Sequence, residues 1–182
     1  LTTVLRSVSW FGMLGYFGAF MGDHLGLDTQ LIGVTYMLSG TAYLIGSLVA
    51  SKVLALASPR LLIAGTNITL GISIGLIFGA ADGAIGAMAL LTLAGFLGAL
   101  SNIGTVTVLS LEAPGGSGTI MVLNAALTNL GAAGGGALGG ILLAFGGYPL
   151  LGIGLAAFAL STVALLIRRG APNPTETTLQ TA

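Results

Sequence analysis

The chain has 182 residues, of which 55% are hydrophobic and 5% are charged, with five basic residues balancing five acidic ones. A soluble domain carries about a quarter charged residues, so this composition excludes a water-soluble fold and indicates that lipid is the solvent. The charges are dispersed, there is no cysteine, and there is one histidine. We therefore predict no nucleic-acid partner, no metal site and no cofactor.

Six apolar runs are long enough to cross a membrane, for which a helix needs about 20 residues. The predicted spans are residues 3–21, 30–53, 61–80, 84–108, 118–144 and 148–167. The last two spans share one uncharged run, which Gly146-Gly147-Tyr148-Pro149 breaks into a hairpin, since Pro lacks an amide proton and Gly permits turns. We predict an all-α membrane protein with a six-helix bundle at 1–169 and a disordered cytoplasmic tail at 170–182.

The first apolar stretch, Ser7 to Gly22, follows just one basic residue and shows no clear small-residue cleavage site, which predicts a retained helix rather than a signal peptide. The chain begins with Leu1 rather than Met, and we expect it to be a fragment or a processed chain.

All five basic residues fall on one side of these crossings: Arg6, Lys52, Arg60, Arg168 and Arg169. Basic residues in short loops remain in the cytoplasm, so both termini are predicted to be cytoplasmic. The acidic residues Asp23, Asp28 and Asp82 then lie outside.

Glycine accounts for 31 residues, many of them at helical spacing. Two series four residues apart lie on the third and fifth spans: Gly71, Gly75 and Gly79, and Gly131, Gly135 and Gly139. Small residues at this spacing let helix backbones approach closely in lipid, where apolar burial alone gains little. Both faces are predicted to pack against neighbouring helices.

The fifth and sixth spans carry a recognisable pattern. The lead-in reads Leu111-Glu-Ala-Pro-Gly-Gly-Ser-Gly-Thr-Ile-Met-Val-Leu-Asn124, and the spans continue through Gly131 and Gly139-Gly140 to Gly146-Gly147-Tyr148. This sequence resembles the eleventh and twelfth helices of major facilitator superfamily transporters, particularly bacterial drug and sugar efflux members related to the drug:proton antiporters. Leu25-Gly26-Leu27 with Gly33 looks like the family's exit from helix seven into helix eight, and Gly40 with Leu44-Ile45-Gly46-Ser47-Leu48 looks like helix eight.

The resemblance covers residues 1–169, as only the second half of a twelve-helix transporter. It implies two three-helix inverted repeats in a bacterial inner membrane. The first and fourth spans would line a central cavity, the second and fifth would face the missing half, and the third and sixth would face lipid.

The family's loop after its eighth helix usually carries a Gly-x-Leu-x-Asp-Arg-x-Gly type motif. Ser51, Ala55, Leu56 and Ser58 stand at the first glycine, the aspartate, the arginine and the second glycine. Lys52 and Arg60 remain as the basic residues of this predicted cytoplasmic gate loop.

Few ionisable residues are candidates for chemistry within the membrane. The acidic residues Asp23, Asp28, Asp82 and Glu112 map to loops, so a proton-coupling acid would belong to the missing half. Arg6 lies about one turn inside the first span. It is either a charge of the cavity or gate, or a side chain that snorkels to the headgroups.

Two further groups are candidates for lining a solute cavity. Trp10, Met13, Tyr16 and Phe17 form an aromatic stripe that either lines a pocket or packs against neighbours. The polar residues within the fourth and fifth spans either contact solute or form interhelical hydrogen bonds: Asn102, Thr105, Asn124 and Asn129.

We expect the second half of a transporter that moves a small neutral or amphipathic solute by alternating access and needs a partner half in the bilayer. The alternative is a transporter-like bundle that serves as a structural or assembly subunit of a larger membrane complex.

Gly115-Gly116-Ser117-Gly118 is similar to the Gly-x-Ser-Gly of rhomboid proteases, whose serine needs a histidine from a later helix. No histidine follows Ser117, so we predict no enzyme activity and no catalytic residue.

Overall fold

A computed structural model describes residues 1–56, 58–81, 83–111 and 117–170 as helices joined by short turns. The elements are α1 Thr2–Ala19, a π-helical turn Phe20–His24, α2 Thr29–Leu56, α3 Pro59–Ala80, α4 Ala84–Leu111 and α5 Ser117–Gly170. These residues contain no strand, which confirms the all-α prediction for them. The predicted loop positions of Asp82 and Glu112, and residues 171–182 of the predicted tail, lie outside the described residues. Gly170, the first residue of that predicted tail, is instead the last residue of α5.

Within that part of the chain, four helices are long and apolar enough to cross a membrane. They are Thr29–Leu56, Pro59–Ala80, Ala84–Ser110 and Gly118–Ile167. α1 is not among them, because Arg6 and the hydroxyl residues of its first half lower its mean hydropathy. Its 18 residues are about 27 Å long at a rise of 1.5 Å per residue. The chain thus carries the apolar helices of a membrane protein.

α5 is two helical arms rather than one rod. Gly146 (φ −150°, ψ 17°) and Gly147 (φ 64°, ψ −162°) leave the helical conformation, and the second of these conformations is accessible essentially to glycine alone. Residues 117–145 form the first arm and residues 148–170 form the second arm. Gly154 of the second arm packs directly against the Leu142 side chain of the first, although a continuous helix would separate them by about 18 Å. The arms therefore form an antiparallel hairpin.

The starts of α2 and α3 are capped by side chains. The Asp28 carboxylate accepts a hydrogen bond from the Leu31 amide at 2.8 Å. The Ser58 hydroxyl accepts one from the Leu61 amide at 3.3 Å, and Pro59 occupies the first turn of α3. Proline is favoured there because its missing N–H would have no partner within the helix.

The helices pack in an ordered set of pairs. α1 packs mainly against α5, α2 packs mainly against α4, and α3 lies between α4 and α5. α1 meets both arms of the hairpin, since Gly12 lies close to the Gly135 carbonyl and to the Leu155 side chain. The Trp10 ring also lies against Gly98, which connects α1 to α4.

Two cavities mark the opposite ends of this bundle. One cavity is lined by residues from α1, α3, α4 and the second arm of α5, including Arg6, Arg60 and Thr162. The other is lined by His24, Ala81 and Pro149 among others. The helix starts that carry Arg6 and Arg60 therefore share one end. We call it the cationic end, and the π-helical turn and the hairpin turn lie at the other.

Large apolar side chains fill the half of the bundle away from the cationic end. Phe20 packs edge-on against Phe78 and Tyr148, with ring centroids 5.3 and 5.1 Å apart. The core consists mainly of residues from α1, the π-helical turn, α3, α4 and the second arm: Val8, Met13, Phe17, Phe20, Met21, Leu70, Ile74, Ile77, Phe78, Ala87, Leu91, Ala94, Leu151 and Leu155.

The first arm of α5 places its glycine series on the backbone of α1. A Cβ atom at Gly131 would lie 2.7 Å from the Val4 carbonyl oxygen, and one at Gly135 would lie 2.6 Å from the Val8 carbonyl oxygen. Gly139 lies directly under the Tyr16 ring. Only the absence of side chains permits the backbones of α1 and α5 to approach this closely.

The glycine series of α3 behaves differently. Gly71 lies in contact with Ala156 and Ala159 of the second arm, at distances of 3.4 Å from a built Cβ. At Gly75 and Gly79, no described atom beyond the surrounding turns of α3 lies within 4 Å of a built Cβ. Of the three glycines on the predicted packing face of α3, Gly71 therefore contacts the second arm, whereas Gly75 and Gly79 do not contact it.

Candidate functional site

An aromatic groove runs between α1 and α2. It has a volume of about 370 Å³, which lies within the range of about 300–1,000 Å³ that small-molecule sites occupy. The rings of Trp10 and Tyr43 stand 6.2 Å apart at an angle of 39°. The groove is lined by Trp10, Phe11, Leu14, Tyr36, Ser39, Gly40 and Tyr43.

The polar groups of this groove also tie helices together. The Tyr36 hydroxyl donates a hydrogen bond to the Leu14 carbonyl at 2.6 Å, joining α2 to α1. The Ser39 hydroxyl donates to the Leu91 carbonyl at 3.1 Å, joining α2 to α4. The groove is thus a fixed surface of apolar rings with a hydroxyl at Tyr43, suited to apolar or amphipathic molecules.

The predicted aromatic stripe of α1 divides among three environments. Of the four stripe residues, Trp10 lines the groove, and Met13 and Tyr16 point about 60° and 120° away from Trp10 around the helix. Met13 and Phe17 are fully buried in the core, and the Tyr36 ring covers Phe17 edge-on with centroids 6.0 Å apart. Tyr16 covers Gly139 and donates a hydrogen bond to the Gly136 carbonyl at 2.6 Å. Met13, Tyr16 and Phe17 therefore do not line the groove.

Arg6 turns into the bundle at the cationic end. Arg6 is 6% exposed, and one terminal nitrogen of its guanidinium donates a hydrogen bond to the Asn102 side-chain oxygen at 3.1 Å. Its Nε–H is buried without a hydrogen-bond acceptor among the described residues. Burial and the bond to Asn102 place the Arg6 side chain at the contact of α1 with α4.

A small cavity of about 70 Å³ lies beside this guanidinium. Arg6 and Thr105 line it together with Arg60 of α3 and Thr162 of the second arm. Lys52, the other basic residue of the predicted gate loop, is exposed on α2 and does not line this cavity. The structure thus brings three predicted residues, Arg6, Thr105 and Arg60, to one cavity.

The amides of the first arm are separate from both cavities. Asn124 accepts a hydrogen bond from the Thr3 hydroxyl at 3.2 Å, which joins the arm to α1. Asn129 is exposed on the arm. One predicted amide therefore serves helix packing, and the other faces outward.

A buried polar pair between α3 and α4 is not predicted from the sequence. The Asn67 amide donates hydrogen bonds to the Ser101 hydroxyl at 2.9 Å and to the Ile63 carbonyl at 2.7 Å. Its side-chain oxygen has no partner in the described part of the chain. The position of Asn67 within an apolar run could have indicated this pair, since an amide at lipid depth forms hydrogen bonds with a neighbouring helix.

Comparison with known proteins gives no identification. No protein-family model matches the chain, and no curated protein and no solved structure matches it either.

Proposed function

We propose that the chain is the second six-helix half of a major facilitator-type secondary transporter. It carries a small neutral or amphipathic solute by alternating access, together with a partner half that completes the cavity. The observation that carries the proposal is the aromatic groove of Trp10 and Tyr43, which lies open along α2. Alternating access requires a site at a boundary between two bundles, and this groove supplies one wall of such a site.

The pairing of the helices supports two three-helix repeats. Matching the first three segments to the last three places α1 on α4, α2 on the first arm of α5, and α3 on the second arm. The contact of α1 with the first arm then corresponds to the contact of α4 with α2. The contact of α3 with α4, which includes the bond from Asn67 to Ser101, corresponds to the contact of the second arm with α1, where Leu155 lies against Gly12.

The two helices expected to meet the partner half are the least covered ones. In α2, 17% of the most apolar window is buried, against 50% in α3 and 44% in α4. At Gly33 and Gly40 of α2 and Gly136 of the first arm, no described atom beyond the surrounding turns of the same helix lies within 4 Å of a built Cβ. Small residues without neighbours on lipid-depth helices favour docking of a further helix.

The test is to purify the chain from its native membrane and identify what co-migrates with it. A cognate six-helix half supports the transporter, and reconstitution of the two halves in vesicles then allows solute counterflow to be measured. Trp10→Ala and Tyr43→Ala are expected to lower counterflow, whereas the matched control Phe145→Ala, at a ring that is 84% exposed, is expected to leave it unchanged. Absence of counterflow from every assembly of two halves argues against the proposal.

A structural role in a larger membrane complex is the second candidate. The uncovered glycines Gly33, Gly40 and Gly136 favour it, because they could dock helices without any transport. Co-migration with an unrelated complex, together with loss of that complex when Gly40→Leu fills the surface, would support this reading over transport.

A further inference from the structure

We infer that the aromatic groove between α1 and α2 binds a flat aromatic ring that carries a hydrogen-bonding substituent. The ring lies against Trp10 in a recess at Gly40, and the substituent bonds to the Tyr43 hydroxyl. This ligand class rests on the proposed function and deepens it, because the groove is the wall of the proposed transport site. Binding to the groove is nevertheless measurable on this chain without transport.

The Trp10 ring is held in place by α4. A Cβ atom at Gly98 would lie 2.9 Å from Cζ3 and 3.0 Å from Cη2 of the indole, so this ring fills the space that the glycine leaves open. Trp10 is only partly buried and lines the groove, so part of its surface remains accessible. A ring that is already fixed loses little side-chain freedom when a ligand contacts it. Trp10 therefore offers a preorganised surface for a second aromatic ring.

A recess at Gly40 separates two tyrosine rings on α2. Tyr36, Gly40 and Tyr43 are spaced four and three residues apart and therefore share one face of the helix. All three line the groove, and no described atom beyond the surrounding turns of α2 lies within 4 Å of a Cβ built at Gly40. A ligand in the recess has a tyrosine on either side along α2 and Trp10 across from it on α1. Aromatic rings contact one another favourably when offset-stacked or edge-to-face, so the recess favours a flat ring over a saturated one.

The Tyr43 hydroxyl is available to a ligand as a polar contact. The Tyr36 hydroxyl donates to the Leu14 carbonyl and the Ser39 hydroxyl donates to the Leu91 carbonyl, so both of those protons are used. Within the described residues, the Tyr43 hydroxyl forms no hydrogen bond, and Tyr43 is only partly buried. A phenolic hydroxyl both donates and accepts. It can therefore bond to a donor or to an acceptor on the ligand.

A lipid acyl chain is the competing occupant of a groove that lies at lipid depth. It would cover Trp10 and Gly40, but it has no atom that bonds to the Tyr43 hydroxyl, and a polar group covered without a partner costs free energy. The groove volume of about 370 Å³ is near the lower limit of about 300–1,000 Å³ for small-molecule sites. The groove therefore suits a compact ring with a polar group better than a long chain.

The test is equilibrium dialysis of tritiated β-naphthol against the purified full chain in neutral detergent, with the same micelles at the same concentration on both sides. β-Naphthol is flat and carries a hydroxyl. Two tritiated comparison ligands separate these properties, because naphthalene lacks the hydroxyl and decahydro-β-naphthol keeps the hydroxyl but is not flat.

Two variants and a matched control locate the binding. Gly40→Leu fills the recess, and Tyr43→Phe removes the hydroxyl alone. Gly33→Leu makes the same change as Gly40→Leu at an exposed glycine of α2 outside the groove. The midpoint of unfolding by sodium dodecyl sulfate, followed by Trp10 fluorescence, establishes whether each variant is folded. Should Gly40→Leu not fold, the comparison of the ligands in Tyr43→Phe decides.

We expect β-naphthol to bind to the chain in excess over the micelles, and decahydro-β-naphthol to bind more weakly. Gly40→Leu is expected to lower the affinity for β-naphthol about tenfold or more, since its side chain overpacks the recess, whereas Gly33→Leu leaves the affinity unchanged. Tyr43→Phe is expected to lower the affinity for β-naphthol about fivefold, as for one neutral hydrogen bond, and to leave the affinity for naphthalene unchanged.

The inference is overturned if β-naphthol does not bind, if Gly40→Leu and Gly33→Leu bind it alike, or if decahydro-β-naphthol binds as tightly. An equal loss of affinity for β-naphthol and naphthalene in Tyr43→Phe also contradicts it. Binding of β-naphthol without solute counterflow counts against transport alone. Counterflow of another solute without binding of β-naphthol counts against this ligand class alone.

Discussion

Gly135 and Gly136 are neighbours on the first arm of α5, and we predict opposite effects when each is replaced by alanine. A Cβ at Gly135 would stand 2.6 Å from the Val8 carbonyl oxygen and 2.8 Å from the Gly12 nitrogen. Both contacts are with backbone atoms, which cannot rotate away, so α1 and α5 must separate. Overpacking of this kind costs about 1–3 kcal/mol.

At Gly136, no described atom beyond the surrounding turns of its own helix lies within 4 Å of a built Cβ. The Tyr16 hydroxyl bonds to the backbone carbonyl of Gly136, and alanine retains that carbonyl. Alanine also restricts the unfolded chain and favours the helix by about 0.5–1 kcal/mol. The free energies of unfolding of the two variants are therefore expected to differ by about 2 kcal/mol or more.

The assay is equilibrium unfolding in mixed micelles with increasing sodium dodecyl sulfate. The chain has one tryptophan, and Trp10 lies against Gly98 across the α1–α4 contact, so its fluorescence reports loss of packing. Gly135→Ala is expected to unfold at a lower detergent fraction than the parent, and Gly136→Ala at an equal or higher one. Equal midpoints for the two variants would refute the close approach of α1 and α5.

Three further substitutions test other contacts by the same unfolding assay. Tyr36→Phe removes the hydroxyl bonded to the Leu14 carbonyl and is expected to cost about 1 kcal/mol, with an unchanged midpoint contradicting the α1–α2 link. Asn67→Leu is expected to cost no more than about 1.7 kcal/mol, because it loses the bond to Ser101 but also removes a buried oxygen that has no partner among the described residues. A larger loss would contradict this account of the Asn67 oxygen. Ser58→Ala removes the cap of α3 and is expected to cost about 1 kcal/mol, whereas a stabilised variant would exclude that cap.

The sequence pattern predicts those features of the chain that depend on residues close together in sequence, namely the helices and the turn between the two arms of α5. Uninterrupted apolar runs predict helices, since lipid offers the backbone no hydrogen-bond partners. The pair Gly146-Gly147 marks a turn because one of these residues adopts a conformation that only glycine tolerates. Spacing alone does not predict what covers a helix face. The series of Gly131 meets α1, whereas the equally spaced Gly75 meets nothing described within 4 Å.

The candidate site depends on contacts between residues far apart in the chain, and these escape sequence analysis. Whether Arg6 turns inward depends on Asn102, which lies 96 residues away. Whether an aromatic residue of α1 faces the groove depends on α2, which contributes Tyr43 beside Trp10 and Tyr36 over Phe17. Spacing alone leaves open whether the stripe of α1 lines a pocket or packs against neighbours, and the structure shows Trp10 in the groove but Met13 and Phe17 in the core.

We predict that the helices cross a membrane with the cationic end in the cytoplasm. The chain has no cysteine, so single cysteines can be introduced without background. Ala55 lies in the last turn of α2 at the cationic end, and Gly83 lies between α3 and α4 at the other, both exposed. With a maleimide reagent that does not cross membranes, Gly83→Cys is expected to be labelled in intact cells and Ala55→Cys only after permeabilisation. Labelling of both positions from the same side would contradict the account.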